Sequence, residues 1–138
     1  MKNQSPKDII RSLYSRDLLN DRTILKDFFN DNISLMWNSS DGLTIMNLEN
    51  LREFFEGMRA SYTELRIEIS HLLAQRNFVI VRHKYYVRTF ENPEEELGIA
   101  HFMVIWEIND GKIIRGHMIS QPASSKDDTS KGYETIKV

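Results

Sequence analysis

Residues 78–90 read FVIVRHKYYVRTF, and they introduce the period of two that dominates the second half of the chain. β-branched and aromatic residues are common here, as is typical of strands. A turn signal, Gln75-Arg76-Asn77, precedes the stretch, and an acidic loop, Glu91–Glu96, follows it. We therefore predict a long strand over Phe78–Phe90.

The period of two extends in both directions from this stretch, over residues Leu65 to Ser120. It predicts four strands: Leu65–Ala74, Phe78–Phe90, Leu97–Ile108 and Lys112–Ser120. Their connections are short, and Asn109-Asp110-Gly111 carries the Asp-Gly signal of a tight hairpin. An antiparallel meander follows from this spacing.

The first half of the chain has helical spacing instead. A first helix should begin after Ser5, with Pro6 at its first position. A second short helix spans Ile24–Phe29, a short strand spans Ile33–Trp37, and Asn47 caps a third helix. Three helices on a curved antiparallel or mixed sheet predict an α+β domain with an apolar pocket.

Composition limits the function. The chain has 138 residues, no cysteine and a net charge of −2. Thiolate metal sites, disulfides and a cysteine nucleophile are therefore excluded. Its 18 basic and 20 acidic residues are interspersed, which disfavours nucleic acid as a partner. We expect no membrane span and no export signal, hence a cytoplasmic protein. Residues 1–122 form one domain in this interpretation, and 123–138 a polar tail.

Three segments carry a resemblance to a known family. They are Asn50-Leu51-Arg52-Glu53-Phe54-Phe55, Val79-Ile80-Val81-Arg82, and Asp110-Gly111-Lys112-Ile113-Ile114 followed by Gln121-Pro122. In this order and spacing the chain resembles the NTF2-like superfamily and, within it, the SnoaL-like proteins. The resemblance implies a conical α+β fold over about residues 6–122. The fold hosts many reactions, so it does not by itself identify one.

The ketosteroid isomerases of this superfamily provide a template for the site. Their substrate-binding tyrosine corresponds to Tyr14, their general-base aspartate to Asn38, and their second oxyanion donor to Val104. An amide cannot abstract a proton and a valine cannot donate one, which disfavours ketosteroid isomerisation. Many SnoaL-like proteins also carry two carboxylates near the end of the domain, where Arg115 and Met118 stand here.

Strand alternation, with this correspondence, predicts which side chains share the concave face. The candidate catalytic residues are His117, His83 and Tyr14. The candidate ligand-binding residues are Arg115, Trp37, Asn38, Tyr85, Phe55, Met58, Val104 and Trp106. We expect Arg115 to clamp a carboxylate, Tyr14 to donate to an oxygen, and His83 or His117 to relay a proton. The predicted pocket is thus cationic and aromatic.

Each of these residues also has a structural interpretation. The histidines and Tyr14 can be packed core residues, and Arg115 can simply pair with Glu53 or Glu56. A three-histidine metal site would need His101, which lies out of phase with the inward residues, so we expect no metal and no obligatory cofactor.

The outer face of the sheet is rich in apolar residues for a solvated surface. Ile80, Met103 and Ile105 alternate there with charged residues. Because SnoaL-like proteins commonly dimerise through this face, we predict a homodimer. Two functions remain open: a small-molecule-binding protein, with or without cofactor-independent isomerase or lyase activity, and a non-catalytic dimeric interaction module whose cone is filled.

Overall fold

The structure is a computed structural model, and it describes residues 4–123. The predicted tail, apart from Ala123, lies outside the described residues. The elements are α1 (Pro6–Ser15), α2 (Ile24–Phe28), β1 (Phe29–Ser39), β2 (Gly42–Met46), α3 (Leu48–Ser61), β3 (Tyr62–Gln75), β4 (Phe78–Thr89), β5 (Glu96–Asn109) and β6 (Lys112–Pro122).

The six strands form one curved mixed sheet in the order β2-β1-β6-β5-β4-β3. Strands β3 to β6 form the predicted antiparallel meander. The last strand, β6, then pairs in parallel with β1, so that it lies between the first hairpin and the meander. The predicted α+β class with helices on a mixed sheet is confirmed.

The helix starts follow the capping signals in the sequence. The Ser5 side chain accepts a hydrogen bond from the Asp8 backbone N–H at 3.1 Å, and Pro6 opens α1. Helix α3 begins with a capping box, in which Asn47 and Asn50 each accept the other's backbone N–H. Both starts were predicted correctly.

The inner face of the sheet packs against the helices and forms the core. On β4 and β5 every second residue is buried, as alternation predicts: Val79, Val81, His83, Tyr85, Val87, Phe102, Val104, Trp106 and Ile108. Helix α1 packs on β3 and β4 with its apolar stripe, which includes Ile9, Ile10 and Leu13. This face positions the candidate site.

Strand β2 was missed, and β1 is longer than predicted. The polar and glycine residues at 38–42 are typical of a turn, but Asn38 and Ser39 still belong to β1 and Gly42 already pairs with Ser39. Only Met46 of β2 is buried, so the strand lacks the apolar alternation that identifies strands in a sequence. Phe29, assigned above to the second helix, is the first residue of β1.

A β-bulge near the start of β6 reverses the facing of the rest of that strand. Ile108 pairs with Ile113, but the next pair is Glu107 with Arg115, so Ile114 is an extra residue. Beyond it, alternate residues exchange faces. The side chains or positions that face the helices are then Gly116, Met118 and Ser120.

Candidate functional site

An apolar cavity of about 50 Å³ lies between the inner face of the sheet and the helices. Its walls come from all three helices, from Leu18 after α1, and from all strands except β3. Among residues 4–123, sixteen side chains line it, and none of these is an acid, a lysine or an arginine. The aromatic and histidine residues of the wall are Tyr14, Phe29, Trp37, Phe54, Phe55, His83, Tyr85, Phe102 and Trp106.

Tyr14 brings a hydroxyl to this cavity. Its oxygen accepts a hydrogen bond of 3.1 Å from the indole Nε1–H of Trp106. Because a phenol both accepts and donates, the O–H of Tyr14 can still serve a group in the cavity. Burial raises the pKa of Tyr14 well above its usual value, with a further increase from nearby Tyr85. The phenol is therefore neutral at pH 7.

His83 lies beside Tyr14 on β4 and is 1 % exposed. Its ring centroid is 5.1 Å from that of Tyr14, and it stacks on Phe102 at 5.1 Å with an interplanar angle of 11°. Burial among these rings lowers the pKa of His83 from 6.5 to about 3. At pH 7 the imidazole is therefore neutral.

Tyr85 completes the polar part of the wall. Its ring lies 5.5 Å from His83 and 4.5 Å from Phe102, measured between centroids. Burial raises the pKa of its phenol, so this group too is uncharged at neutral pH. Tyr14, His83 and Tyr85 thus form a neutral polar cluster inside an aromatic shell.

Trp37 forms the opposite wall. Its indole Nε1–H donates to the Ser120 Oγ at 2.8 Å, and its ring meets Phe54 edge to face at 5.5 Å. Neither Ser120 nor Phe54 is among the predicted site residues. The Ser120 side chain faces inward only because of the bulge in β6, whereas Phe54 lies on the inner stripe of α3 and could have been selected from its helical spacing.

The structure brings six of the predicted site residues to the cavity: Tyr14, Trp37, Phe55, His83, Tyr85 and Trp106. Met58 and Val104 are buried but do not line it. Met58 packs in a neighbouring cluster with Tyr85, and Val104 is fully enclosed within the core. The aromatic part of the predicted pocket is therefore present.

The predicted inward placement of Arg115 and His117 was wrong. The bulge at Ile114 turns both side chains to the outer face. There Arg115 pairs with Glu107 at 2.5 Å and its side chain is 47 % exposed. His117 lines an outer-face groove with Ile105. The cavity therefore lacks the cationic character that the sequence suggested.

Asn38 does not reach the cavity either. It follows Trp37 directly in β1, and neighbouring residues of a strand point to opposite faces. Because Trp37 faces the cavity, Asn38 lies on the outer face, where it is exposed. The predicted inward placement of Asn38 was therefore wrong.

Within residues 4–123, no group of three or more histidine, cysteine or acidic side chains is placed to hold a metal ion. No helix in the same range is long and apolar enough to cross a membrane.

Comparison with known families shows the family to which the chain belongs. The sequence profile of the SnoaL-like domain matches residues 15–116, which include the whole cavity wall except Leu13, Tyr14 and Met118. The chain belongs to the SnoaL-like family. The resemblance to SnoaL-like proteins of NTF2-like fold is thereby confirmed. A search of curated proteins finds no match to this SnoaL-like chain.

Solved structures with the same fold differ widely in sequence. IdmH from Streptomyces antibioticus, a proposed polyketide cyclase, superposes with a TM-score of 0.70 at 14 % identity, over 85 % of this chain and 92 % of IdmH. AclR from Streptomyces galilaeus, a proposed hydroxylase, gives 0.69 at 15 % identity, over 83 % of this chain and 77 % of AclR. A proposed isomerase from Rhodopseudomonas palustris gives 0.64 at 16 % identity, over 87 % and 91 % of the chains. At such identities the likeness establishes the SnoaL-like fold alone.

Proposed function

We propose that this SnoaL-like protein binds a small, largely apolar molecule whose part inside the cavity is uncharged and carries one carbonyl or hydroxyl oxygen. The observation that supports this proposal is the neutral polar cluster of Tyr14, His83 and Tyr85 on the wall of an otherwise apolar cavity. The aromatic shell would hold the apolar body, and the cluster would fix the oxygen.

The lack of charged side chains in the cavity wall indicates that the part of the ligand inside it is uncharged. A carboxylate placed inside would lose its hydration without meeting a cation. Burying even an uncharged polar group without a hydrogen bond costs about 2–7 kcal/mol, and burying an unpaired charge costs more. A ketone or alcohol oxygen needs only a hydrogen-bond donor, and the Tyr14 O–H lies in the wall.

The titration properties of the cluster favour binding over proton transfer. A histidine whose pKa is about 3 is a weak base at pH 7, and tyrosines with raised pKa values are weak acids. General acid–base catalysis works best with groups whose pKa lies near the working pH. We therefore propose a binding protein, and isomerase or lyase activity would require the ligand itself to change these pKa values.

The volume of the cavity adds one requirement. At about 50 Å³ it is smaller than a benzene-sized space, which is about 150 Å³. Phe54 and Phe55 on α3 are half-buried, so their side chains can move outward without disturbing the fully buried strands. We propose that ligand entry displaces these two rings.

Acetophenone and ethylbenzene test the proposal, because they differ mainly in one oxygen. We expect titration calorimetry to give tighter binding of acetophenone, and Tyr14→Phe to reduce that preference by about threefold to tenfold, the worth of one buried hydrogen bond. Tyr86→Phe is the matched control, since Tyr86 lies on the outer strand face and donates to Glu68. Equal effects of the two variants would contradict the role of Tyr14.

A second candidate function, the interaction module with a filled cone, is favoured by the small cavity. If neither compound binds to the wild-type protein, this candidate replaces the first. Both candidate functions include a homodimer. We infer this homodimer from the outer face of the sheet. Large apolar side chains are exposed there: Leu73, Phe78, Ile80, Met103, Ile105 and Ile119.

The occupant of this face would be a second copy of the chain. The six side chains lie on neighbouring strands, β3 to β6, and form one surface of the kind that homodimers bury. Light scattering of wild type, Ile105→Asp and Phe90→Asp tests it. Phe90 is equally apolar and exposed but lies after the end of β4, so we expect only Ile105→Asp to be monomeric. A monomeric wild type at micromolar concentration would contradict the inference.

A further inference from the structure

A second, polar space adjoins the cavity. This cleft, of about 270 Å³, lies between helix α3 on one side and, on the other, helix α2 and the loop that joins α1 to α2. Four cationic side chains line it: Arg22, Lys26, Arg52 and Arg59. We propose that this cleft binds the carboxylate of an amphiphilic ligand whose apolar part occupies the cavity. The inference rests on the proposed function and specifies the ligand class further.

The cleft and the cavity share part of their walls. Leu18, Ile24 and Phe55 line both spaces. Leu18 and Ile24 are buried, whereas Phe55 is half-buried on α3. A change of the Phe55 rotamer would therefore join the two spaces. Small-molecule sites commonly measure about 300–1,000 Å³, a range that the cavity does not reach without the cleft.

The cations of the cleft are held in place by the fold. Arg59 is the most enclosed, with a side chain that is 14 % exposed. Its Nη1 donates to the Leu19 carbonyl at 2.8 Å, and its Nε lies 3.2 Å from the Glu56 carboxylate. Arg22 reaches the other oxygen of Glu56 at 3.0 Å. The two guanidiniums hold the pKa of Glu56 below its usual value.

The acids of the cleft leave an excess of positive charge. In the described part of the chain, the acids that line it opposite the four cations are Asp21 and Glu56, and Asp21 already pairs with Arg16 at 2.7 Å. Arg52 pairs with Glu49, which does not line the cleft. Among the ion pairs of residues 4–123, none includes Lys26. In a chain of net charge −2, this is a local site for an anion.

We expect a carboxylate as the anion because the guanidiniums of this cleft already bind one, that of Glu56. A carboxylate is bridged there by two guanidiniums, from Arg22 and Arg59. A ligand carboxylate near Lys26 and Arg22 would meet charged donors at the solvent boundary, where it keeps part of its hydration. The apolar body could then enter the cavity without burying a charge.

Phenylalkanoates with two to five linking carbons, each paired with its methyl ester, test the inference. Titration calorimetry at neutral pH compares acid and ester on wild type, Arg22→Ala/Lys26→Ala and Arg115→Ala. For the best linker we expect the acid to bind about tenfold more tightly than its ester, as one or two charge-assisted hydrogen bonds provide. The double variant should abolish this preference. Arg115→Ala, which removes an outer-face arginine, should retain it.

A second variant, Glu56→Gln, should increase the preference for the acid over its ester. Glu56→Gln removes the internal carboxylate that neutralises Arg22 and Arg59, so the preference for the acid should rise. An unchanged preference in the Arg22/Lys26 double variant, or equal binding of acid and ester to wild type, would overturn the cleft site while leaving the cavity proposal intact. Failure of both acid and ester to bind would overturn both.

Discussion

Replacement of Gly116 by alanine should disturb the wall of the cavity directly. Gly116 lies on the inner side of β6, opposite Trp106 on β5. A Cβ atom added there would lie 2.6 Å from Cζ3 of Trp106 and 2.8 Å from Cδ1 of Leu35. Carbon atoms in contact prefer about 3.5–4.0 Å, so the overlap is about 1 Å with each neighbour.

These two overlaps should make Gly116→Ala less stable than the wild type. Overpacking of this kind lowers the free energy of unfolding by about 1–3 kcal/mol. Replacing a glycine reduces the entropy of the unfolded chain and returns about 0.5 kcal/mol. A net loss of about 1.5 kcal/mol remains, which lowers Tm by about 4–8 °C in a domain of this size. Displacement of Trp106 should also weaken its hydrogen bond to Tyr14 and change the near-ultraviolet circular dichroism.

Gly57→Ala is the control for this measurement. Gly57 lies within α3, and a Cβ added there meets no atom within 4 Å. Since alanine is the better helix former, this variant should be more stable than wild type by about 0.5–1 kcal/mol. Thermal unfolding of the three proteins decides the matter. A Gly116→Ala protein as stable as wild type would refute both the inward facing of Gly116 and the bulge that causes it.

Three further predictions concern titration, a hydrogen bond and a helix cap. Because the pKa of His83 falls from 6.5 to about 3 in the folded state, the unfolded chain binds an extra proton below pH 6.5. The free energy of unfolding should therefore decrease as the pH is lowered from about 6.5 towards 3, by up to about 1.4 kcal/mol per pH unit, and His83→Phe should flatten this slope. Ser120→Ala removes the acceptor of the 2.8 Å Trp37 bond, and urea unfolding should show a loss of about 1 kcal/mol. Asn47→Ala removes the capping box of α3 and should cost about 1 kcal/mol in the same assay, and an unchanged midpoint would contradict the cap.

The meander was predictable because its strands share a period of two. On β4 and β5 the inner face is apolar at alternate positions, and tight turns join β3 to β4 and β5 to β6. The starts of α1 and α3 were predictable for a similar reason, since Ser5 and Asn47 are strong local caps. In these segments local signals and tertiary packing agree.

The charge of the site could not be predicted in the same way. Ile113 and Ile114 are both isoleucine, so the sequence does not indicate which of them belongs to the core face. A single extra residue there reverses all positions that follow. That one choice moved Arg115 and His117 outward and brought Ser120 inward. It was made by pairing with the neighbouring strand β5 and with β1, and β1 lies far from β6 in the sequence.

The position of β6 between β1 and β5 has a consequence for the order in which the chain can fold. Before residues 112–122 have left the ribosome, the β1–β2 hairpin and the β3–β4–β5 meander cannot be joined into one sheet. Two strand edges, on β1 and on β5, then remain without partners and can pair with other chains. Nascent chains, and products that end before Lys112, should therefore depend on chaperones far more than the finished protein does.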